Sequence, residues 1–428
     1  MKVKRQSNSW IRTLPALLAV LLLLAACSSS PAPRASLPPQ PTEPPEEGQT
    51  ITLITPDAGN LDPTNTKKYQ IQTRLTDFHL MNGKEGIAWG ITKNALRMYM
   101  TRDNGQTWTN ISPAATVQFT ANPVYGQDIF FADSRHGWIV RTGSGITETI
   151  VLHTSDGGQS WKISALNPSS RIAAIYFDSS AHGWLMTTWD NTENRESKAL
   201  YVTGDGGATW ETIMQNEQYT PHSDQPPLPI TGVSRGMVFR DRFNGLVSMQ
   251  FGEEVRLFIT GDGGVSWKAA DSLPQPAALK TCSKLIAGSP QFFTETTGWL
   301  PVSCEADVGA EVTQHGYFTA DGGVSWKYAN FNLPGRSDPN RGIPPTFLNT
   351  RIGWWLNGDL LYWTGNQGQA WRALPASSVL QAKLKEYPEV VKLQFIDEKT
   401  GWLLIQRTEA KRSILLQTIN GGVTWKVM

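Results

Sequence analysis

Cysteine is scarce in this chain: three in 428 residues, Cys27, Cys282 and Cys304, with none in the C-x-x-C spacing of a zinc or redox site. The six His (His79, His136, His153, His182, His222 and His315) show no metal-ligand spacing either. A G-x-S-x-G elbow and a phosphate-cradling glycine loop are both missing, so no common nucleophile or nucleotide motif is present and neither metal nor cofactor is expected. Charge of one sign is not in excess. The 38 Lys and Arg against 37 Asp and Glu leave +1, which speaks against nucleic acid as a partner. Long amphipathic helical patterns are absent as well, whereas 38 Gly, 27 Pro and 17 Trp point to many turns and aromatic-rich strands.

One long apolar run stands apart, from Leu14 to Ala26, behind Lys2, Lys4 and Arg5. A basic start, an apolar stretch of about 7–15 residues and then small residues form the layout of a secretory signal, too short for a comfortable membrane span. Its end, Leu24-Ala25-Ala26-Cys27, resembles the lipobox of bacterial lipoproteins. That resemblance implies cleavage after Ala26, lipidation of Cys27 and anchoring to the outer surface of a bacterial cell membrane, or of the outer membrane where the envelope has one. Losing the leader with Lys2, Lys4, Arg5 and Arg12 would change the net charge from +1 to −3. Residues 27–50 read as a tether, with seven Pro from Pro31 to Pro45, reaching at most roughly 70 Å at about 3.1 Å per residue. Export also permits a disulfide between Cys282 and Cys304, with two free thiols as the alternative.

Beyond the tether the chain repeats itself. An eight-residue frame occurs as Thr101 to Trp108 (TRDNGQTW), Thr154 to Trp161 (TSDGGQSW), Thr203 to Trp210 (TGDGGATW), Thr260 to Trp267 (TGDGGVSW) and Thr319 to Trp326 (TADGGVSW). Two looser copies are Thr364 to Trp371 (TGNQGQAW) and Thr418 to Trp425 (TINGGVTW). Upstream of each stands a turn and then Gly with an aromatic strand, as in Gly137-Trp138, Gly183-Trp184, Gly298-Trp299, Gly353-Trp354 and Gly401-Trp402. Four short strands per unit, seven units about 45–60 residues apart, predict an all-β, seven-bladed β-propeller of four-stranded antiparallel blades over 51–428. A solenoid is the structural rival. Met428 follows Trp425 by three residues, so the last strand of blade seven is short, and Ile51–Ile54 is a candidate to close the ring there.

The frame resembles the Asp-box, or bacterial neuraminidase repeat, with its Ser/Thr-x-Asp-x-Gly-x-Thr/Ser-Trp pattern. Asp103, Asp156, Asp205, Asp262 and Asp321, with Asn366 and Asn420 in the looser copies, are expected to lock turns by accepting backbone N–H groups. Trp108, Trp161, Trp210, Trp267, Trp326, Trp371 and Trp425 are expected to pack between sheets. Seven equivalent acids make a poor active site, since catalysis needs one constellation.

The A–B and C–D turns of a blade share one face, and the longer B–C and D–A connections share the other. Here the latter include Glu211 to Ser234, Ala269 to Leu285, Ala329 to Pro345 and Ala373 to Val390, with Arg141 to Thr149, Thr187 to Lys198, Glu305 to Gln314 and Gln406 to Lys411. Binding usually resides on such loops. The candidate binding face therefore comprises Arg141, Trp189, Arg195, Arg235, Arg336, Arg341 and Arg407, and the Trp355/Trp363 pair is a further candidate for stacking a glycan or peptide.

Sialidases share the Asp-box but add an Arg-Ile-Pro motif and an arginine triad. The nearest string here, Arg341-Gly342-Ile343-Pro344, has an inserted Gly and comes late, so the triad is not carried over. Xyloglucan-cleaving enzymes with similar repeats are built from two propellers, and this chain has length for one. Residues 71–428 most resemble the photosystem II assembly and stability factor family, whose repeats likewise join a Gly-Trp strand to a T-x-D-G-G-x-[TS]-W frame. That likeness implies a non-catalytic scaffold binding a protein or glycan. A carbohydrate-active enzyme, sialidase-like or another glycoside hydrolase, is the alternative.

Overall fold

Seven antiparallel sheets follow one another along the chain, one per copy of the frame. The computed structural model describes Gln49–Thr52 and residues 73–428, apart from 115–116, 120, 143–147, 168–169, 193–194, 218–225, 306–311, 330 and 332–342. Cys27, Arg336 and Arg341 lie outside the described residues. Blade one pairs strands Asp77–Leu80, Gly86–Thr92, Ala95–Thr101 and Thr109–Asn110, here called A to D. The pattern repeats to blade seven, with Glu389–Phe395, Gly401–Arg407, Arg412–Thr418 and Lys426–Val427. Blade five splits strand A into Lys284–Ala287 and Gln291–Phe292, both paired to Gly298–Glu305. Neighbouring A strands touch in most blades, while D strands chiefly contact their own C strand, so A is inner and D outer. The chain is a seven-bladed β-propeller.

Stacked sheets must be apolar on both faces, and the B strands are. Gly401 to Ile405 is buried at every residue, and so is Gly86 to Gly90. Trp138, Trp184, Trp299, Trp354 and Trp402 are buried almost completely. Each such indole removes on the order of 150–250 Å² from water, roughly 4–6 kcal/mol before entropy is charged.

The glycine ahead of each of these tryptophans has a steric cause. At Gly183 a Cβ would lie 2.3 Å from the Phe177 ring, and at Gly137 2.3 Å from Phe131. Phe177 closes strand A opposite Gly183 and stacks on Trp138 of the preceding blade, with centroids 3.5 Å apart and planes 11° from parallel. Phe239 on Trp184 and Phe395 on Trp354 repeat the arrangement at 3.6 and 3.9 Å. Glycine is thus the residue that lets one blade's phenylalanine lie flat against its neighbour's tryptophan.

The ring closes without strand exchange. Strand D of blade seven is supplied by Lys426–Val427 itself. Of Ile51–Ile54, expected to close that seam, Ile51 and Thr52 belong instead to the strand Gln49–Thr52, which pairs antiparallel with Ser160–Leu166 as a fifth, outermost strand of blade two, and residues 53–54 lie outside the described residues. The difference follows from edge length. Ser160–Leu166 offers seven residues of unpaired edge, where most D strands have two. At the seam itself, Gln394 exchanges two bonds with the Leu80 backbone (3.0 and 3.1 Å), and Lys392 Nζ donates to Phe78 O (2.7 Å). Cys282 and Cys304 are joined in a disulfide, Cα–Cα 5.4 Å, between the loop entering blade five and its strand B. Among the described residues no helix is long and apolar enough to cross a membrane.

Candidate functional site

Each frame is a closed hydrogen-bond unit. In blade two, Thr154 Oγ1 donates to Asp156 Oδ1 (2.8 Å) and accepts from Gly158 N (2.8 Å). Asp156 Oδ1 also accepts from Ser160 N (3.0 Å), and Oδ2 accepts from Ser160 Oγ (2.6 Å). Asp103, Asp205, Asp262 and Asp321 repeat these contacts. Gly157 and Gly158 both have positive φ (75° and 85°), which explains the paired glycines, and Asn104 and Gln367 hold the first of these positions at 56° and 65°. Burial raises the pKa of each frame Asp, but the Ser or Thr hydroxyl and backbone donors outweigh it and hold the carboxyl below its ordinary value. A carboxylate so engaged is a poor proton donor. The Thr opening the frame does as much as the Asp, a role that sequence reading missed although Thr stands there in all seven copies.

The frame also fixes the two faces. The N–H after each Asp or Asn donates to the A–B turn of its own blade: Asn104 to Lys84 O, Gly157 to Arg135 O, Gly206 to Ala181 O, Gly263 to Phe243 O, and likewise through Gly421 to Lys399 O. A–B and C–D turns therefore lie side by side in every blade. Four frame tryptophans (Trp210, Trp267, Trp326 and Trp425) donate from Nε1 to their own frame glycine, at 2.9–3.1 Å. Trp138, Trp184 and Trp354 reach the frame of the next blade, at Gly206, Gly263 and Gly421 O (2.8, 2.8 and 3.0 Å). At these junctions the turn face ties one blade to the next.

The opposite face is less uniform than expected. B–C connections in blades one, four and six are two-residue hairpins, at Lys93-Asn94, Gly252-Glu253 and Gly358-Asp359, with positive φ at Lys93, Asn94, Gly252 and Gly358 as tight turns require. Thr187 to Lys198 is a correction too: most of it is strand, Gly183–Thr192 paired with Arg195–Thr203. Thr187, Thr188, Glu196, Ser197 and Lys198 are buried where the two strands pair. The D–A connections vary most, and one holds a helix, Ser378–Glu386, that short Leu380/Leu384 spacing did not reveal.

Of the candidate binding residues, Arg195 and Arg407 are exposed at strand ends on this face, and Arg141 ends strand B of blade two, half-buried. Arg235 is exposed at a register shift of the inner strand of blade four, between Ser234 and Gly236. Trp189 is half-buried and donates to Glu217 Oε1 (2.8 Å). These residues are spread over blades two, three, four and seven and form no single constellation. Trp355 is buried in the core, while Trp363 is half-buried near the rim of blade six.

Further groups line the seam between blades seven, one and two. Lys392 Nζ lies 3.1 Å from Asp77 Oδ1 and 5.3 Å over the Phe78 ring. His79 stacks on Tyr125 at 3.7 Å, and burial, then Lys392, lowers its pKa well below the ordinary value. Asp128, just ahead of the inner strand of blade two, accepts one bond from Val124 N (2.9 Å), and burial pushes its carboxyl up to about 6. None of these recurs in the repeat, so pattern reading passed over them. Among the described residues no three His, Cys, Asp or Glu side chains gather to hold a metal.

A family model described as "Sortilin-Vps10: Sortilin, neurotensin receptor 3" matches residues 96–228, from strand C of blade one past blade three. No curated protein matches the chain. Among solved structures, a GH74 enzyme of Niastella koreensis is similar at 13% identity, over 82% of this chain and 71% of that one, with TM-score 0.31. The GH74 xyloglucanase of Xanthomonas campestris is similar at 10% identity, over 82% and 72%, with TM-score 0.34. A PL25 ulvan lyase is similar at 9% identity, over 82% and 90%, with TM-score 0.49. Likeness at these values carries no statement about reaction or ligand.

Proposed function

We propose that the chain is a lipid-anchored, extracytoplasmic propeller that binds a protein or glycan on its loop face without catalysing a reaction. The observation that carries this reading is the contrast between the two faces. The frame carboxylates are engaged by their own turns on one, whereas Arg195, Arg235 and Arg407 stand exposed toward the other. The Thr–Asp–Ser bonding within each frame supports the Asp-box resemblance, and the Gly-Trp strand joined to it supports the likeness to photosystem II assembly and stability factors. Leu24 to Cys27 supports the anchor, and metabolic lipid labelling that persists in Cys27→Ala would remove that part.

A glycoside hydrolase or lyase is the second reading. It is favoured by Asp128 alone, whose raised pKa is the direction a general acid needs. The test is affinity capture from envelope membranes with the intact protein and with Arg195→Glu/Arg235→Glu. Loss of partners from the folded variant supports a loop-face scaffold. Identical recovery from both removes the basic loops from the account, and polysaccharide cleavage abolished by Asp128→Asn replaces the scaffold by an enzyme.

A further inference from the structure

Blade six departs from the repeat in two connected ways. Its frame has Ala370 where the other six have Ser or Thr. Ala370 N still donates to Asn366 Oδ1 (3.0 Å), but Asn366 Nδ2 meets no hydrogen-bond partner among the described residues. In blade seven the same atom of Asn420 donates to Thr424 Oγ1 (2.9 Å). Trp371 Nε1 beside it is buried without a partner, as Trp161 Nε1 is in blade two. Finally, the residue before the frame is Trp363, where the other blades have Met100, His153, Val202, Ile259, Phe318 and Gln417.

These departures surround a pocket of about 330 Å³ lined by Trp363, Gly365, Asn366, Ala370, Trp371 and Arg372. That volume falls at the lower end of the range for small-ligand sites, roughly 300–1,000 Å³. Its walls are mainly apolar, supplied by the two tryptophans. Asn366 Oδ1 is engaged by Thr364 Oγ1 and Ala370 N, which leaves two side-chain donors open: Asn366 Nδ2, and the exposed guanidinium of Arg372, which sits 5.4 Å over the Trp363 ring. Carboxylates are what a guanidinium recognises best after phosphates, and phosphate itself makes poor use of indole walls. A sugar ring offers an apolar C–H face for an indole and hydroxyls for an amide.

The geometry points to a saccharide subsite at the rim of blade six that takes a pyranose ring carrying a carboxylate. The ring packs against the indole walls, Asn366 Nδ2 donates to a hydroxyl, and Arg372 pairs with the carboxylate. This site is on the frame side of the propeller and is independent of the loop-face reading.

The test uses the full chain, titrated with a glucuronate-containing tetrasaccharide, a neutral tetrasaccharide and a Tyr-containing acidic peptide. Trp363 packs on the core, so two milder variants are chosen. Ala370→Thr restores the missing hydroxyl and fills the pocket; Arg372→Glu reverses an exposed charge. The acidic tetrasaccharide should bind the wild type and lose about tenfold or more in affinity in each variant, with Ala370→Thr melting no lower than wild type. Neutral saccharide should bind more weakly, and a partner captured on the loop face should be unaffected. No binding of the acidic saccharide, binding unchanged in both variants, or tighter binding of the peptide than of the saccharide would each overturn the proposal.

Discussion

Trp402 Nε1 donates to Asn104 Oδ1 at 3.0 Å, and that bond fastens the last blade to the first. Asn104 holds the frame position that is glycine in five of the other blades, and its side chain supplies the acceptor that a glycine carbonyl supplies elsewhere. Trp402→Phe keeps most of the buried area and loses the bond, so it should cost about 0.5–1.5 kcal/mol. Trp402→Ala should cost about 3–5 kcal/mol by opening a cavity. Chemical denaturation of both variants checks the order; equal losses would mean that the bond, not the ring, closes the propeller.

Gly183→Ala should destabilise by about 1–3 kcal/mol through overpacking, because the new methyl meets Phe177. Phe177→Leu should relieve part of that cost in the double variant. The coupling energy from a four-member cycle reads this directly, and an additive result would contradict the close approach.

Asp156→Ala removes the acceptor for both Ser160 groups and should cost about 1–3 kcal/mol. The frame carboxyls titrate below their ordinary value near 3.8, so their stabilisation is whole above that value and is lost as pH falls through the depressed native one. Asp156→Asn, which copies Asn420, should fold, cost less than the Ala variant, and show a shallower fall in melting temperature between pH 5 and 2. An unchanged acid profile would place the acid-sensitive groups elsewhere.

Lys198 is fully buried in blade three, donating to Glu196, Pro229 and Gly232 O (2.9, 3.1 and 2.9 Å), with Glu196 Oε2 at 3.5 Å. Burial brings its pKa down to about 8 against the pull of Glu196. Below pH 8 the folded and unfolded states both hold the proton, and the fold bears the full cost of burying it. As pH rises through 8 the folded state sheds it first, so this group's contribution to stability grows until about pH 10.5, where the unfolded state follows. Lys198→Met should cost about 3–5 kcal/mol at neutral pH by leaving the buried Glu196 carboxylate without its counter-ion and Gly232 O without the Lys198 bond, and should abolish that alkaline gain. Melting temperatures from pH 7 to 10 decide it.

The parts legible in the sequence are those that one backbone geometry forces to recur. Two consecutive positive φ values ask for Gly157-Gly158, and a stacked Phe177 asks for Gly183, so most blades repeat them. Groups used once leave no such trace. Gln394 and Lys392 at the seam reach partners 314 residues away, and Asp128 and the Glu196–Lys198 pair, though bonded to near neighbours in sequence, each occur once. Trp189 and Trp363 look alike in sequence, both outside the repeating positions, yet the first is tied to Glu217 and the second faces a pocket. That Gln49–Thr52 pairs in blade two, rather than Ile51–Ile54 closing blade seven, is not legible because edge length is a property of the folded sheet.

The claim at the centre of the account is that the frame stabilises and the loops bind. Melting temperature and recovery of membrane partners, measured together for Asp156→Ala and for Arg195→Glu/Arg235→Glu, test it most directly. The account predicts a lower melting temperature with partners retained for the first, and an unchanged melting temperature with partners lost for the second. Partners lost from fully folded Asp156→Ala, or retained by the arginine variant, would contradict it.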